Sequence, residues 1–142
     1  MSLDINKQSM KYSQYGEKVT IYQRDDDGNI LYYTTSEGEK IPLEDRTEIG
    51  YSKPVSFKAN ISNKLSEALM KEFGIDDSTN YCQIVTDKGY LPLKTGDLIW
   101  KKSAVGYNNE NNVDKTTADY VVKGVADEGL TADLYLLQKN VR

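Results

Sequence analysis

The chain contains no histidine and a single cysteine, Cys82, among its 142 residues. Those two shortages remove the imidazole general base, the Cys–His pair, the zinc cluster and the internal disulfide together. Basic excess is missing too: 18 Lys and Arg face 22 Asp and Glu, a net charge of −4 with a pI near 4.9. A dedicated nucleic-acid binder needs a positive field to neutralise phosphates, so that class is set aside. No apolar run approaches the roughly 18 residues of a membrane span. Met1-Ser2-Leu3-Asp4 lacks the basic and apolar stretches of a secretory signal. With one thiol and no such signal, a reducing cytoplasm is the expected compartment. Apolar residues are sparse: without Tyr and with Gly they make about 37% of the chain, against roughly 45–50% in an average domain.

What is abundant is tyrosine, at 11 residues, spread through segments of β character. The length is that of one domain, 1–142, in which residues 1–15 read as an irregular, polar N-terminal arm. From residue 17 to 24, Val19 and Ile21 alternate with Thr20 and Tyr22, the period of a half-buried strand. Asp25-Asp26-Asp27-Gly28-Asn29 then reads as a hairpin turn into residues 30–35. Residues 40–53 are ambiguous, with Ile41, Leu43, Ile49 and Tyr51 spaced for extended structure but Pro42 removing a ladder donor, and 36–54 reads as a long loop. Val55, Phe57, Ala59 and Ile61 share one face of a strand. The period then changes, and Leu65, Leu69 and Phe73 predict one helix over 62–73, capped by Ser62 and ending at Gly74. At about 12 residues, such a helix holds only by docking. Strands follow over 81–86 and 98–101, then a polar loop over 103–117, then a hairpin of strands 120–126 and 130–139. Short strands spaced by turns predict a mainly β fold, a small barrel or sandwich with one docked helix and long loops.

No catalytic, cofactor-binding or metal-binding residues emerge. The acidic run 25–29 brings Gly28 too early for a calcium loop and suits a turn. Asp76-Asp77 lies past a helix end and forms no evident acid–base pair. Lys101-Lys102 reads as a solvated strand end, and Cys82 as a buried small residue, not a reactive thiol. With every strong nucleophile–base pattern missing, no enzymatic activity is expected. Outward tyrosines serve either cross-strand packing or contact with other proteins. Long loops in compact domains are usually functional or disordered. Candidate interface residues are therefore Tyr107, Asn108, Asn109, Tyr120 and Tyr135, and the candidate contact segments are the loops 36–54 and 103–117 and the hairpin 120–139. Deleting 106–113 is expected to leave the monomer folded.

The carboxyl-terminal half carries a resemblance. Leu93-Lys94-Thr95-Gly96-Asp97-Leu98-Ile99-Trp100, then Ala118-Asp119-Tyr120-Val121-Val122-Lys123-Gly124-Val125, then Asp133-Leu134-Tyr135-Leu136-Leu137-Gln138-Lys139 resembles head–tail connector proteins of tailed bacteriophages and prophages. There a Gly-Asp turn opens a strand, a Tyr-Val-Val strand follows a loop, and a last strand closes the chain. The match covers roughly residues 90–140; residues 1–60 contribute no motif to it. The resemblance implies a non-enzymatic virion structural protein of the head-closure or adaptor type. Such a protein needs no cofactor, assembles as a homo-oligomeric ring between portal and tail proteins and helps retain packaged DNA, while the acidic balance of this chain suits a conduit that repels the passing duplex. It implies residence in the virion, and in the host bacterial cytoplasm during assembly, with no membrane partner. A tail-terminator or tail-completion protein, or a soluble accessory module binding a ligand or peptide, are the alternative readings.

Overall fold

The computed structural model describes residues 7–108 and 112–140. Six strands close a barrel in the order β1-β6-β7-β10-β9-β8, with β8 returning to β1. They are β1 (Gln8–Ser13), β6 (Val55–Ser62), β7 (Tyr81–Asp87), β8 (Leu98–Trp100), β9 (Tyr120–Ala126) and β10 (Ala132–Lys139). Every pairing is antiparallel. The interior follows from period-two alternation. Phe57 and Ala59 enter from β6, Cys82 and Ile84 from β7, and Tyr135 and Leu137 from β10. Leu91 and Leu93, from the stretch between β7 and β8, add to the same core. The strand expected over 55–61 is present, as is the terminal hairpin, whose register slips between Leu136 and Leu137 opposite Gly124 and Val122.

Several readings of the sequence need correction. The irregular N-terminal arm is not irregular over its described part: β1 is a full barrel strand, with Met10 in the core. Its alternation was hidden because the interior positions Met10 and Tyr12 sit among Ser, Gln and Lys. The helix is shorter than predicted: α1 spans Glu67–Glu72 and is capped by Ser66, whose hydroxyl accepts from Leu69 N at 3.3 Å. Ser62 instead ends β6 and bonds the backbone of Lys64. The third correction concerns residues 36–54, which hold β4 (Lys40–Pro42) and β5 (Glu44–Tyr51) and are no loop.

These strands belong to a ribbon outside the barrel. β2 (Tyr15–Tyr22) pairs with β5, while β3 (Tyr32–Thr34) pairs with β4. The run 17–35 is thus no simple hairpin, since β2 takes its partner from beyond β4. Where the two sheets meet, Gln23 N donates to Leu43 O, Leu31 N to Gln23 O and Leu43 N to Leu31 O, at 2.8–2.9 Å. That triangle of backbone bonds joins the stem to two tips. One tip is the expected acidic turn: Asp25 Oδ1 accepts from Asp27 N and Asn29 N, both at 2.9 Å, and Gly28 takes φ +86°. A bridge between Arg24 and Ile30 closes it.

Two features cover the barrel's outside. The helix packs with Phe73 against Gly124 of β9, and Ser66 N donates to Gln83 Oε1 of β7 at 2.7 Å. Between those strands lies β10, whose outward Leu136 is fully buried. The second cover is the stretch after β8. Leu98 and Trp100 face away from Ile99 and form a second core with Val113 and Ala118, flanked by Tyr51, Val105 and Val121. Trp100 Nε1 donates to Thr117 Oγ1 at 3.0 Å within a short 3-10 turn, Lys115–Thr117. The described parts of this stretch, 103–108 and 112–117, are therefore a cover and not a free polar loop. Deleting 106–113 would take Val113 out of this core, so the expectation of an unharmed fold does not stand.

Candidate functional site

Among the described residues no group of three or more His, Cys, Asp or Glu could hold a metal ion. Cys82 is fully buried in the barrel, and burial pushes its thiol up to about 11. Among the described residues no helix is long and apolar enough to cross a membrane. The features that stand out are the ribbon and a groove.

The ribbon, residues 15–51, has one buried residue, Gly50 at its base. Its length shows Tyr15, Leu31, Tyr32, Tyr33 and Ile49 to solvent, five of the nine large exposed hydrophobics among the described residues. A free two-stranded ribbon is marginal in water, and this one is fastened at its root. Gln14 and Ser52 exchange two backbone-directed bonds at 2.8 and 2.9 Å. The buried carboxylate of Asp97 accepts from Tyr15 N at 3.1 Å and Lys94 N at 2.7 Å. Tyr15 and Tyr51 meet edge to face at 5.3 Å, and the Asn112 side chain lies where a Cβ on Gly50 would sit.

The groove opens beside β1 and encloses about 760 Å³. Its floor includes Met10, Phe57 and Trp100, and its rim carries Lys11, Lys58, Lys101, Tyr90 and Tyr107. Among the described residues no carboxylate lines it. The ion pairs seen among the described residues lie elsewhere, at Arg46 and Lys88.

Its shape comes from one residue. β8 pairs with β1 only over Lys11–Trp100, Tyr12–Ile99 and Ser13–Leu98. The next turn of chain is drawn off by Asp119, whose Oδ2 accepts from Lys101 N, Lys102 N and Ser103 N at 2.8–3.0 Å. Ser103 Oγ donates to its other oxygen at 2.7 Å. Burial resists ionisation of Asp119, but these bonds outweigh it and hold the carboxyl down at about 2. Residues 8–10 of β1 thus have β6 on one side and no described strand on the other.

The candidate interface residues divide. Tyr107 and Asn108 are exposed, and Tyr107 is on the groove's rim. Tyr120 is half-buried against the barrel core. Tyr135 is 2% exposed and donates its hydroxyl to Leu91 O at 2.9 Å, so it is a core residue and is withdrawn as a contact residue. Asn109 lies outside the described residues. The terminal hairpin is exposed mainly at its turn, where Leu130 protrudes. Sequence reading missed the ribbon's continuity and the lysine groove, because Lys11, Lys58 and Lys101 are far apart in the chain and meet only through β1's two neighbours. No family model, curated protein or solved structure matches the chain.

Proposed function

We propose that the chain is a non-enzymatic structural protein of a phage virion, a head–tail connector of the head-closure type that joins portal to tail by assembling as a ring. The observation that carries the reading is the ribbon: a fastened element of residues 15–51 that buries no core of its own. Such an element is stable in use only when a neighbour covers it, and exposed apolar surface of this kind marks protein contact. Supporting it are the closed barrel, which leaves a compact body for stacking in a ring, and the resemblance over residues 90–140. The Gly-Asp turn of that resemblance has a physical task here, since Asp97 ties the ribbon's root to the barrel.

The experiment is to add the purified chain to portal-bearing heads that lack their connector and to image them by electron microscopy. A new ring of density beneath the portal is the expected result. Density at the end of isolated tail tubes would move the chain to the tail-terminator role. The groove favours a second reading, a soluble module that binds a ligand or peptide, because such sites are concave with a few convergent polar groups. Heads that gain no ring, with a peptide bound saturably in the groove, would select it.

A further inference from the structure

The charges of this chain are segregated. Residues 15–51 hold nine acidic and four basic residues, a net of −5, while the remaining residues hold 13 acidic and 14 basic, a net of +1. The ribbon therefore carries all of the molecule's negative excess, and the groove beside β1 presents three lysines and, among the described residues, no carboxylate. The two surfaces are complementary in form as well. The groove borders the edge of β1 at residues 8–10, which no described strand pairs, and there an extended segment can add main-chain bonds. The ribbon supplies extended segments with open edges, and near its tips Leu31, Tyr32 and Tyr33 stand exposed beside Asp25, Asp26, Asp27, Glu37 and Glu39. We infer that the acidic, tyrosine-bearing tips of one copy dock in the lysine-lined groove of the next copy.

This contact uses two different patches, so it is head-to-tail and propagates around a ring or along a filament. Within the proposed function, on which it rests for closure into a ring, it names the two faces that meet. Tyrosines laid against the exposed rim residues Tyr90 and Tyr107 would supply buried area, and the aspartates facing Lys11, Lys58 and Lys101 would set orientation and exclude wrong pairings.

The test uses two full-length charge-reversal variants. One changes the groove, Lys11→Glu with Lys58→Glu and Lys101→Glu; the other changes the tip, Asp25→Lys with Asp26→Lys and Asp27→Lys. In sedimentation velocity the parent chain should self-associate as its concentration rises, and each variant alone should remain monomeric. An equimolar mixture should associate again, because each tip then meets a groove of opposite sign. Recovery in the mixture also shows that both variants are folded. The inference is overturned by a parent that stays monomeric up to about 1 mM, where contacts a thousandfold weaker than micromolar still register. Variants that associate like the parent, or a mixture that stays monomeric, overturn it equally. So does saturable binding of a short single-stranded DNA in the groove that the tip variant retains in full while self-association is absent. A ring on portal-bearing heads together with a failed mixture would remove this contact and leave the proposed function standing; a restored mixture with no ring on heads would do the reverse.

Discussion

Asp119 holds the turn after β8 as a capping residue holds the first turn of a helix, by offering one carboxylate to several backbone N–H groups. Its carboxyl sits at about 2, below its ordinary 3.8. A depressed folded-state value means that the stabilisation is fully present above about pH 4 and fades as pH falls towards 2. Asp119→Asn should therefore lower stability by about 2 kcal/mol at neutral pH, and by much less at pH 2.5, where the parent is losing the same charge. Urea unfolding at both pH values measures this; an equal deficit at each would place the loss in packing and not in charge. Gly124 is constrained differently. Its backbone is ordinary, but a Cβ there would overlap the Phe73 ring. Gly124→Ala should cost about 1–3 kcal/mol by overpacking, and pairing it with Phe73→Leu should return part of that, a coupling that thermal melts of the two single variants and the double variant would reveal.

At the scale of the element, the ribbon and the barrel answer to different physics. The barrel strands read clearly wherever alternation is strict, as in β6, where Phe57 and Ala59 enter the core and alternate with Ser56 and Lys58. β8 gave a short apolar run, Leu98-Ile99-Trp100, and the structure explains why no position is polar: the strand is covered on both faces, by the barrel core and by the cluster around Val113 and Ala118. Covering of that kind depends on a distant loop and leaves no local period to read. The ribbon was illegible as a whole because each strand looks like an isolated half-buried strand, and β2 skips its neighbour to pair with β5. Nothing in the local pattern of Val19 and Ile21 says which partner they take. The groove was illegible for the same reason, since β1 itself was read as irregular. Because the ribbon buries only Gly50, the barrel should fold without it. Replacing residues 17–49 with an Asn-Gly turn across the Tyr15–Tyr51 pair should leave the melting temperature within about 3 °C of the parent while abolishing self-association. A collapse of the melting transition would instead make the ribbon part of the folding unit.

For the molecule as a whole, segregated charge makes association far more sensitive to salt than folding is. The barrel is held by apolar burial around Ile84, Ile99 and Leu137, which simple salts at moderate concentration change little. Contact between a ribbon of net −5 and a groove of three lysines is electrostatic at long range, and exposed charges are screened over about 10 Å at 0.1 M ionic strength and about 3 Å at 1 M. Raising sodium chloride from about 50 mM to about 500 mM should therefore weaken self-association by at least tenfold, mostly by slowing encounter, while the urea midpoint of the monomer stays nearly constant. Sedimentation and urea titrations in the same buffers separate the two. Association that strengthens with salt would mean that the exposed Leu31, Tyr32, Tyr33 and Ile49 dominate the contact, leaving the lysines and aspartates as bystanders.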